Sequence, residues 1–350
     1  MIKKLIVGSG FSASILNIVL GKKAKILGIN DLSKIRPNIF IRRKNLDCNK
    51  VFCEKSLSIG STRFHLKRST FHDRPLMGGN SSVWGGHINY KKIPKKLINI
   101  LNKRNIFFQK LCYSTTGTTS STKYITQLQN SKGEIFKSND LLENIENAII
   151  LDLSITKKKI YTNILFLNSN KKKRFEVSKL YLCIGTIQLI DLLFRSKLLN
   201  ENDEVELTEF DHEFIFKFKN SKFIKKATTI RYSFGRAIGH FLGIQSFTKF
   251  LKIFNIIPIF IDQIFYNTKS KIKLILKGNT FIEKNKDSSK KFGKSIHYCN
   301  MKINGVPIDK FLSKKNKNLI GFGMPFVSQK IPGPISNDIL LDIKNKITKN

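Results

Sequence analysis

Residues 1–31 constrain the fold of this chain most, because their pattern gives a strand, a glycine turn, a helix and a second strand in succession. The apolar run Lys4–Val7 is followed by Gly8-Ser9-Gly10-Phe11-Ser12-Ala13, and a helical pattern then covers residues 14–20. A second apolar run covers residues 24–29. This order within about thirty residues predicts the βαβ unit that binds dinucleotides.

The small residues of the glycine turn have separate tasks in such a unit. Gly8 permits the tight turn, and Gly10 lets the backbone approach a pyrophosphate. Ala13 stands where a third glycine keeps helix and strand close. The phosphates are expected on the amides that begin the helix, at Phe11 and Ser12. The alternative is a glycine turn in another kind of α/β protein.

The second strand of a dinucleotide-binding unit usually ends in an acidic residue that holds the ribose hydroxyls. In this chain that place falls on or near Gly28, and Asp31 follows just beyond. We therefore expect either that Asp31 reaches the ribose or that the contact is absent.

The charge of the chain is strongly basic, with a formal net charge of +39. Lysines are spread along the whole chain, and the runs Lys157–Lys159 and Lys171–Arg174 fall where hairpin turns are expected. We predict solvated loops there and no specific nucleic-acid partner. Non-specific attraction to anionic lipid, glycan or nucleic acid follows from the charge.

The five cysteines have no metal-ligand spacing, and their odd number favours free thiols and no metal site. The apolar run near the N-terminus is too short for a signal peptide. Nor does any stretch provide the roughly 18 apolar residues of a spanning helix. A cytoplasmic location is the expectation.

A second glycine-rich run, Met77–His87, brackets small polar residues and the single tryptophan with two glycine pairs. Paired glycines let the backbone press against a flat or charged group, and Asn and Ser provide donors there. A simple glycine loop is the alternative. The residues expected to contact a cofactor here are Gly78, Gly79, Asn80, Ser81, Ser82, Trp84 and Gly85.

Strand-like runs at residues 148–153, 160–167 and 175–177 predict a small antiparallel piece that returns the chain to the main sheet. Residues 179–188 then read as a buried strand that ends at Gly185, with a helix through Leu193. A strand that ends at a glycine beside a helix start is a further place for a phosphate or ribose.

Three motifs, Gly8–Ala13, Gly78–Gly86 and Cys183–Ile190, occur in an order that resembles the glucose-methanol-choline flavin oxidoreductases. The resemblance implies that FAD is the cofactor and that the first motif holds its diphosphate. It also implies that the second motif lies beside the flavin and that the third forms a strand-to-helix turn.

The C-terminal part extends this resemblance. Residues 295–301 stand where the family has its active-site histidine, so His297 is implied as the base for a substrate hydroxyl. Residues 318–326, which include Gly323, resemble the strand and turn that approach the flavin. The family's second catalytic position falls near Pro334, which offers no base or donor, with Asn337 a few places away. A terminal helix is predicted over residues 338–347.

The middle of the chain departs from the family. Residues 210–218 and 228–232 look like strands that roof a substrate cavity, and the Ser/Thr-rich residues 114–122 look like a loop or mobile edge. Residues 247–266 predict a core or lid helix. The alternative is an amphipathic segment on a membrane surface, which would make the protein peripheral to a membrane.

The predicted fold class is α/β: an FAD-binding Rossmann-like βαβ domain with an inserted, smaller antiparallel-sheet substrate domain. Residues 1–200 would form the FAD domain, with a β insertion at about 147–177; residues 201–290 would form the substrate domain and residues 291–350 would return to the FAD domain.

The predicted function is FAD-dependent oxidation of a hydroxyl, on a sugar, polyol or other alcohol, with electrons passed to an unassigned acceptor. Three alternatives stay open: a flavin-binding homologue with impaired catalysis, a basic non-catalytic protein at a membrane or polyanion, and an NAD-dependent Rossmann enzyme.

Overall fold

A computed structural model describes residues 1–21, 23–29, 40–42, 57–59, 63–65, 87–88, 93–110, 114–117, 120–122, 126–138, 141–142, 144–218, 258–277, 280–283, 297–327 and 335–348. Its helices are α1 (Phe11–Val19), α2 (Lys95–Asn102), α3 (Thr186–Arg195), α4 (Ile308–Lys315) and α5 (Ile335–Thr348), and a 3-10 turn covers Met324–Phe326. Its strands are β1 (Ile2–Val7), β2 (Lys25–Gly28), β3 (Phe40–Arg42), β4 (Leu57–Ile59), β5 (Arg63–His65), β6 (His87–Ile88), β7 (Phe107–Lys110), β8 (Ser114–Gly117), β9 (Ser120–Thr122), β10 (Thr126–Gln129), β11 (Glu146–Ile155), β12 (Ile160–Phe166), β13 (Lys171–Leu182), β14 (Glu204–Phe218), β15 (Pro258–Lys277), β16 (Thr280–Glu283), β17 (His297–Ile303), β18 (Val306–Pro307) and β19 (Leu319–Gly321).

Parallel strands in the order β2-β1-β13-β19 form the centre of the main sheet. Val7 lies opposite Leu182, and Leu180 lies opposite Leu319. Strands from the start, the middle and the end of the sequence are therefore neighbours. The two strands and the helix predicted within residues 1–31 are present as β1, α1 and β2.

The alternation of side chains along these strands divides the core into two clusters. Leu5 and Val7 pack with α3 and the strands β11 and β12, whereas Ile6 packs on the other face with α1 and α5. The neighbouring strand β13 has the same alternation: Tyr181 belongs to the cluster of Ile6, and Leu182 belongs to the cluster of Val7. The central strands are buried on both faces, which is typical of parallel sheets covered by other layers.

The antiparallel piece predicted in the middle of the chain is present as β11, β12 and β13. The expected turn at Lys157–Lys159 joins β11 to β12. The second turn was wrongly assigned, because Lys171–Arg174 begin β13 and the chain instead reverses at residues 168–170. Asn170 takes the left-handed conformation, with φ +54°, that asparagine adopts readily in tight turns.

A second sheet has the strand order β18-β17-β14-β15-β16-β5. The strand predicted at residues 210–218 is the second half of β14. The helix predicted over residues 247–266 is wrong for 258–266, which lie in β15 and pair with β14 in antiparallel register. The β-branched and aromatic residues of this run suit a strand, and pairing with β14 gives their backbone its partners. Residues 228–232 and 247–257 lie outside the described part of the chain.

Residues 114–122, expected to form a loop, contain the short strands β8 and β9. β8 pairs in parallel with β15 and in antiparallel with β9, so a long-range partner orders a polar run. The terminal helix, predicted from residue 338, begins at Ile335. The chain is thus a mixed α/β protein, and its domain boundaries stay a prediction.

Candidate functional site

The adjacent parallel strands β1 and β13 lead into helices on opposite faces of the sheet. β1 continues into α1, whose apolar side chains join the cluster of Ile6, and β13 continues into α3, whose side chains join the cluster of Leu5. In open α/β sheets, ligands bind beyond the carboxyl ends of two adjacent strands, in the crevice that forms where the following helices lie on opposite faces of the sheet. This crevice is the candidate site.

Gly8 lies at the mouth of the crevice and cannot be replaced there without moving the backbone. Its φ is +119°, and an added Cβ would collide with the carbonyl oxygen of Cys183 and stand 3.3 Å from the nitrogen of Ile184. Two backbone hydrogen bonds fix this arrangement, from Gly8 N to the carbonyl of Leu27 (2.8 Å) and from Cys183 N to the carbonyl of Val7 (2.7 Å).

Both helices that leave the crevice begin without a side-chain cap. Gly10 is the N-cap of α1, with φ −89° and ψ −171°, and Gly185 is the N-cap of α3. Neither first turn contains an acidic residue. The amides at a helix start carry partial positive charge and need acceptors, so two such ends at one crevice favour an anionic ligand.

A third turn, after β19, closes on the same place. Gly323 has φ +108°, and an added Cβ would stand 2.9 Å from the hydroxyl oxygen of Ser12 in the first turn of α1. The amide of Phe322 donates to the carbonyl of Leu182 over 2.9 Å. The structure therefore brings together Gly8, Gly185 and Gly323, which the sequence analysis assigned to one cofactor.

The end of β2 explains why the usual acidic residue is missing there. An added Cβ at Gly28 would stand 2.8 Å from the Cβ of Ser9, so the glycine turn packs directly on the Gly28 backbone. No side chain can occupy this place without moving Ser9. Asp31, the predicted ribose contact, lies outside the described residues.

His297 is the first residue of β17, and its backbone lies opposite Phe210 in β14. The next residue, Tyr298, is tied to the site, because its carbonyl accepts a 2.8 Å hydrogen bond from the hydroxyl of Thr186, the first residue of α3. The backbone of His297 therefore lies within one residue of a contact to the helix that leaves the crevice.

The glycine-rich run 78–86, with the predicted contacts Gly78, Gly79, Asn80, Ser81, Ser82, Trp84 and Gly85, lies outside the described residues. Pro334, which occupies the family's second catalytic position, also lies outside them. Asn337 is described and is 1% exposed in the first turn of α5, between the buried residues Ser336 and Asp338. Buried polar residues at the start of this helix were not anticipated.

Lys346 is a residue that sequence reasoning missed. Its ammonium group donates to the carbonyl of Gly321 over 2.9 Å and contacts Asp309 at 2.8 Å and Asp342 at 2.9 Å. It thus joins α5 and α4 to the end of β19. The spacing of Asp342 and Lys346 predicts their ion pair on one helix face, but nothing in the sequence indicates that Lys346 also binds the carbonyl of Gly321.

In the described ranges, no cluster of three or more His, Cys, Asp or Glu side chains is arranged to hold a metal ion. No helix in the same ranges is long and apolar enough to cross a membrane.

No protein-family model and no curated protein matches the sequence. Solved structures with a similar arrangement include a flavoprotein/dehydrogenase from Cytophaga hutchinsonii, at 11% identity and a TM-score of 0.29 over 63% of this chain and 47% of that one. The glycerol-3-phosphate dehydrogenase from Bacillus halodurans complexed with FAD matches at 8% identity and a TM-score of 0.29, over 62% and 40%.

The p-nitrophenol 4-monooxygenase PnpA from Pseudomonas putida matches at 8% identity and a TM-score of 0.30, over 80% of this chain and 72% of that one. The chain thus spans about half the length of the first two structures, 47% and 40%. At these TM-scores the likenesses carry no argument about the activity of this chain. The resemblance to the glucose-methanol-choline family stays a prediction.

Proposed function

We propose that this chain is an FAD-dependent oxidoreductase that oxidises a hydroxyl group, with the cofactor's diphosphate at the crevice between β1 and β13. The geometry of the crevice supports this proposal. After β1 and after β13 the chain turns to opposite faces of the sheet, and each turn contains a glycine and leads to a helix start without a side-chain cap. Diphosphates bind at such places because backbone amides point at them and no side chain intervenes.

The residues of the crevice fit a bound dinucleotide. The backbone of Gly8 lies close to that of Cys183, and Gly10 leaves the first turn of α1 without a side chain at the N-cap. The absence of acidic residues from both first turns avoids repulsion of phosphate. The cofactor contacts that we propose are those predicted from the sequence: Gly8, Gly10, Phe11, Ser12, Ala13, Asp31, Gly78, Gly79, Asn80, Ser81, Ser82, Trp84, Gly85, Gly185 and Gly323.

In the proposed reaction, His297 takes the proton of the substrate hydroxyl. An imidazole suits this role because its pKa lies near neutrality. A bound flavin supplies the acceptor for the hydride that leaves the adjoining carbon. The proposed role is supported by the bond between Thr186 of α3 and the backbone of Tyr298, the residue that follows His297 in β17. Sugars and polyols are the substrate class that the resemblance suggests.

The cofactor domain of this proposal combines residues 1–200 and 291–350, and residues 201–290 form the substrate domain. Strands from both parts of the cofactor domain lie side by side, since β19 pairs with β13.

The test is flavin binding by purified full-length protein, measured by its visible absorption and by titration with FAD. Gly10→Asp is the decisive variant, because an N-cap aspartate suits this backbone conformation and supports the helix while placing a carboxylate at the proposed diphosphate position. We expect at least about a hundredfold loss of affinity, since like charges ~4 Å apart repel by about 4 kcal/mol at an effective dielectric of ~20.

Gly10→Asn is the matched control, because it adds the same bulk at the N-cap without the charge. It should fold as well as Gly10→Asp and bind FAD more tightly than it. Equal FAD affinities in both variants and the parent protein would contradict the proposed diphosphate position.

Turnover is tested separately with a panel of alcohols and sugars. The parent protein should lose its flavin absorption on anaerobic mixing with a substrate, and His297→Asn should keep its flavin and react far more slowly. Flavin that no compound bleaches would instead support the homologue with impaired catalysis.

A further inference from the structure

The edge of the main sheet where its parallel strands begin is strongly basic. Lys4 in β1 lies directly opposite Lys179 in β13. Like charges opposite each other in a sheet destabilise it unless something else neutralises them. Burial, and secondarily the charge of Lys4, lower the pKa of Lys179.

A buried asparagine brings further lysines to this edge. Asn316, which is 3% exposed, donates to the carbonyl of Thr156 over 2.8 Å and accepts from the amide of Asn318 over 2.8 Å. It therefore fixes the turn between β11 and β12 against the end of α4 and the start of β19. Asn318 in turn accepts a hydrogen bond from the amide of Leu180, the neighbour of Lys179. The residues gathered here, called the basic edge below, are Lys3, Lys4, Lys157, Lys158, Lys179, Lys314, Lys315 and Lys317.

None of these eight lysines forms an ion pair with any acidic residue in the described ranges. The nearest acidic residue by register, Glu176, is already paired with Lys159 at 3.1 Å. Elsewhere in the described ranges, Lys25 pairs with Glu146 and Lys273 with Glu204, both at 2.7 Å. The eight lysines of the basic edge therefore carry positive charge that no carboxylate of the described ranges neutralises.

The basic edge and the proposed cofactor crevice lie at opposite ends of the same strands. β1 begins with residues of the edge and ends at Val7, directly before Gly8, and its six residues span about 20 Å. A partner bound at the edge therefore leaves the crevice open.

We propose that the basic edge is the surface on which this protein docks to an anionic lipid bilayer. All of its charges are lysines, which act as point charges towards phosphate, and none is an arginine, whose planar fork reads bases and phosphates in nucleic acids. The ring of Phe311, close to this edge, is partly buried against the core, and the ammonium group of Lys315 lies over it at 5.5 Å, so it is a poor stacking platform for a base. Attraction to a charged lipid surface needs only positive charge within a Debye length of it.

The inference is independent of the proposed oxidoreductase function, and it is tested with the full chain and vesicles. Vesicles of phosphatidylcholine containing about one third phosphatidylserine provide the anionic surface, and pure phosphatidylcholine vesicles provide the neutral one. The edge variant replaces four exposed lysines by glutamine: Lys3, Lys157, Lys158 and Lys317. The control variant replaces four exposed lysines away from the edge: Lys95, Lys96, Lys103 and Lys132.

Both variants lose the same net charge, so any difference between them reports the position of the lysines. We expect the edge variant to partition onto anionic vesicles about fivefold less per lysine removed. The control variant should stay much closer to the parent protein, and neither variant should bind neutral vesicles. Equal thermal unfolding midpoints by circular dichroism establish that both variants are folded.

Equal losses in the two variants would overturn the proposal, because binding would then follow net charge alone. A second arm measures binding of duplex DNA and of RNA to the same proteins. If the edge variant loses nucleic-acid binding but retains vesicle binding, the edge is a nucleic-acid surface and the proposal is wrong.

Discussion

Lys346 donates a hydrogen bond of 2.9 Å to the backbone carbonyl oxygen of Gly321, although the two residues belong to different elements. The ammonium group also lies 5.3 Å from the centres of the Phe322 and Phe326 rings. The Phe326 ring in turn packs directly on the backbone of Gly321, so a Cβ added at Gly321 would collide with this ring. The last helix is thereby fixed to the strand end that carries Gly323 to the first turn of α1.

Lys346→Met is expected to lower the free energy of unfolding by about 2–3 kcal/mol, because hydrogen bonds to charged groups contribute about 1.5–3 kcal/mol and two carboxylates lose their partner. Burial already raises the pKa of Asp309, and the Lys346 ammonium opposes that shift. Urea unfolding measures the change.

Lys310→Met is the matched control, since Lys310 is exposed on α4. Its effect should stay within about 0.5 kcal/mol, as for most surface substitutions. Similar losses in both variants would show that Lys346 does not hold β19 as described.

Gly8→Ala is expected to prevent folding or to lower stability by more than about 3 kcal/mol, because a methyl group there meets the Cys183 backbone and the residue has φ +119°. Gly133→Ala separates the effect of the positive φ from the effect of the steric clash. Gly133 has a φ of +74°, but a Cβ there meets nothing within 4 Å. That variant should lose only about 1–2 kcal/mol. The expression level and urea midpoint of both variants provide the measurement, and a mild Gly8→Ala phenotype would contradict the tight approach of β1 and β13.

Thr186→Val and Thr162→Val are expected to change stability in opposite directions. The Thr186 hydroxyl donates to Tyr298, so its loss should lower the free energy of unfolding by about 1–2 kcal/mol. The Thr162 hydroxyl is fully buried and meets no hydrogen-bond partner among the described residues. Removing it relieves a desolvation penalty, so Thr162→Val should raise stability by about 1 kcal/mol.

Urea unfolding of the two valine variants provides the comparison. Equal changes in both would mean that the bond between α3 and β17 contributes nothing. If Thr186→Val also slows any hydroxyl oxidation without changing FAD affinity, β17 positions His297 as proposed.

The thiol of Cys299 is expected to make stability fall at alkaline pH. Burial, and secondarily the charge of Asp338, raise the pKa of Cys299 from 9.0 to about 12. The folded state therefore holds this proton more tightly than the unfolded state. Its contribution is fully present below pH 9 and is lost as the pH rises towards 12, by about 1.4 kcal/mol per pH unit.

Cys299→Ala should remove this slope from the pH dependence of unfolding, whereas Val205→Ala, an equally buried truncation in the neighbouring strand, should keep it. The measurement is the free energy of unfolding of the parent protein and of both variants at several pH values above 9. In the folded protein, alkylating reagents at pH 8 should leave Cys299 unmodified, because the thiolate is the reactive form. Parallel pH profiles for all three proteins would contradict the raised pKa.

Strong local patterns predicted the elements that surround the crevice. The apolar runs before Gly8 and before Gly185 became β1 and β13, and the helical patterns after them became α1 and α3. These segments carry short-range signals, an apolar run that ends at glycine and a 3.6-residue period, which do not depend on distant parts of the chain.

The wrong assignments have a common physical origin in long-range pairing. The segment 258–266 is apolar enough for a helix or a strand, and only its pairing with β14 decided for a strand. The polar run 114–122 became two strands because β15 provided a partner for β8. Local propensity is weak where a partner strand supplies the hydrogen bonds.

The sequence by itself determined that this chain begins with a strand, a glycine turn and a helix, and that a second strand-glycine-helix unit follows near residue 185. Only the tertiary structure decided that these units lie side by side, that Gly323 closes on Ser12, and that Lys346 holds the end of β19. The reason is that glycine turns and periodic runs are encoded by neighbouring residues. Contacts between strands far apart in the chain form only when the whole core is buried at once.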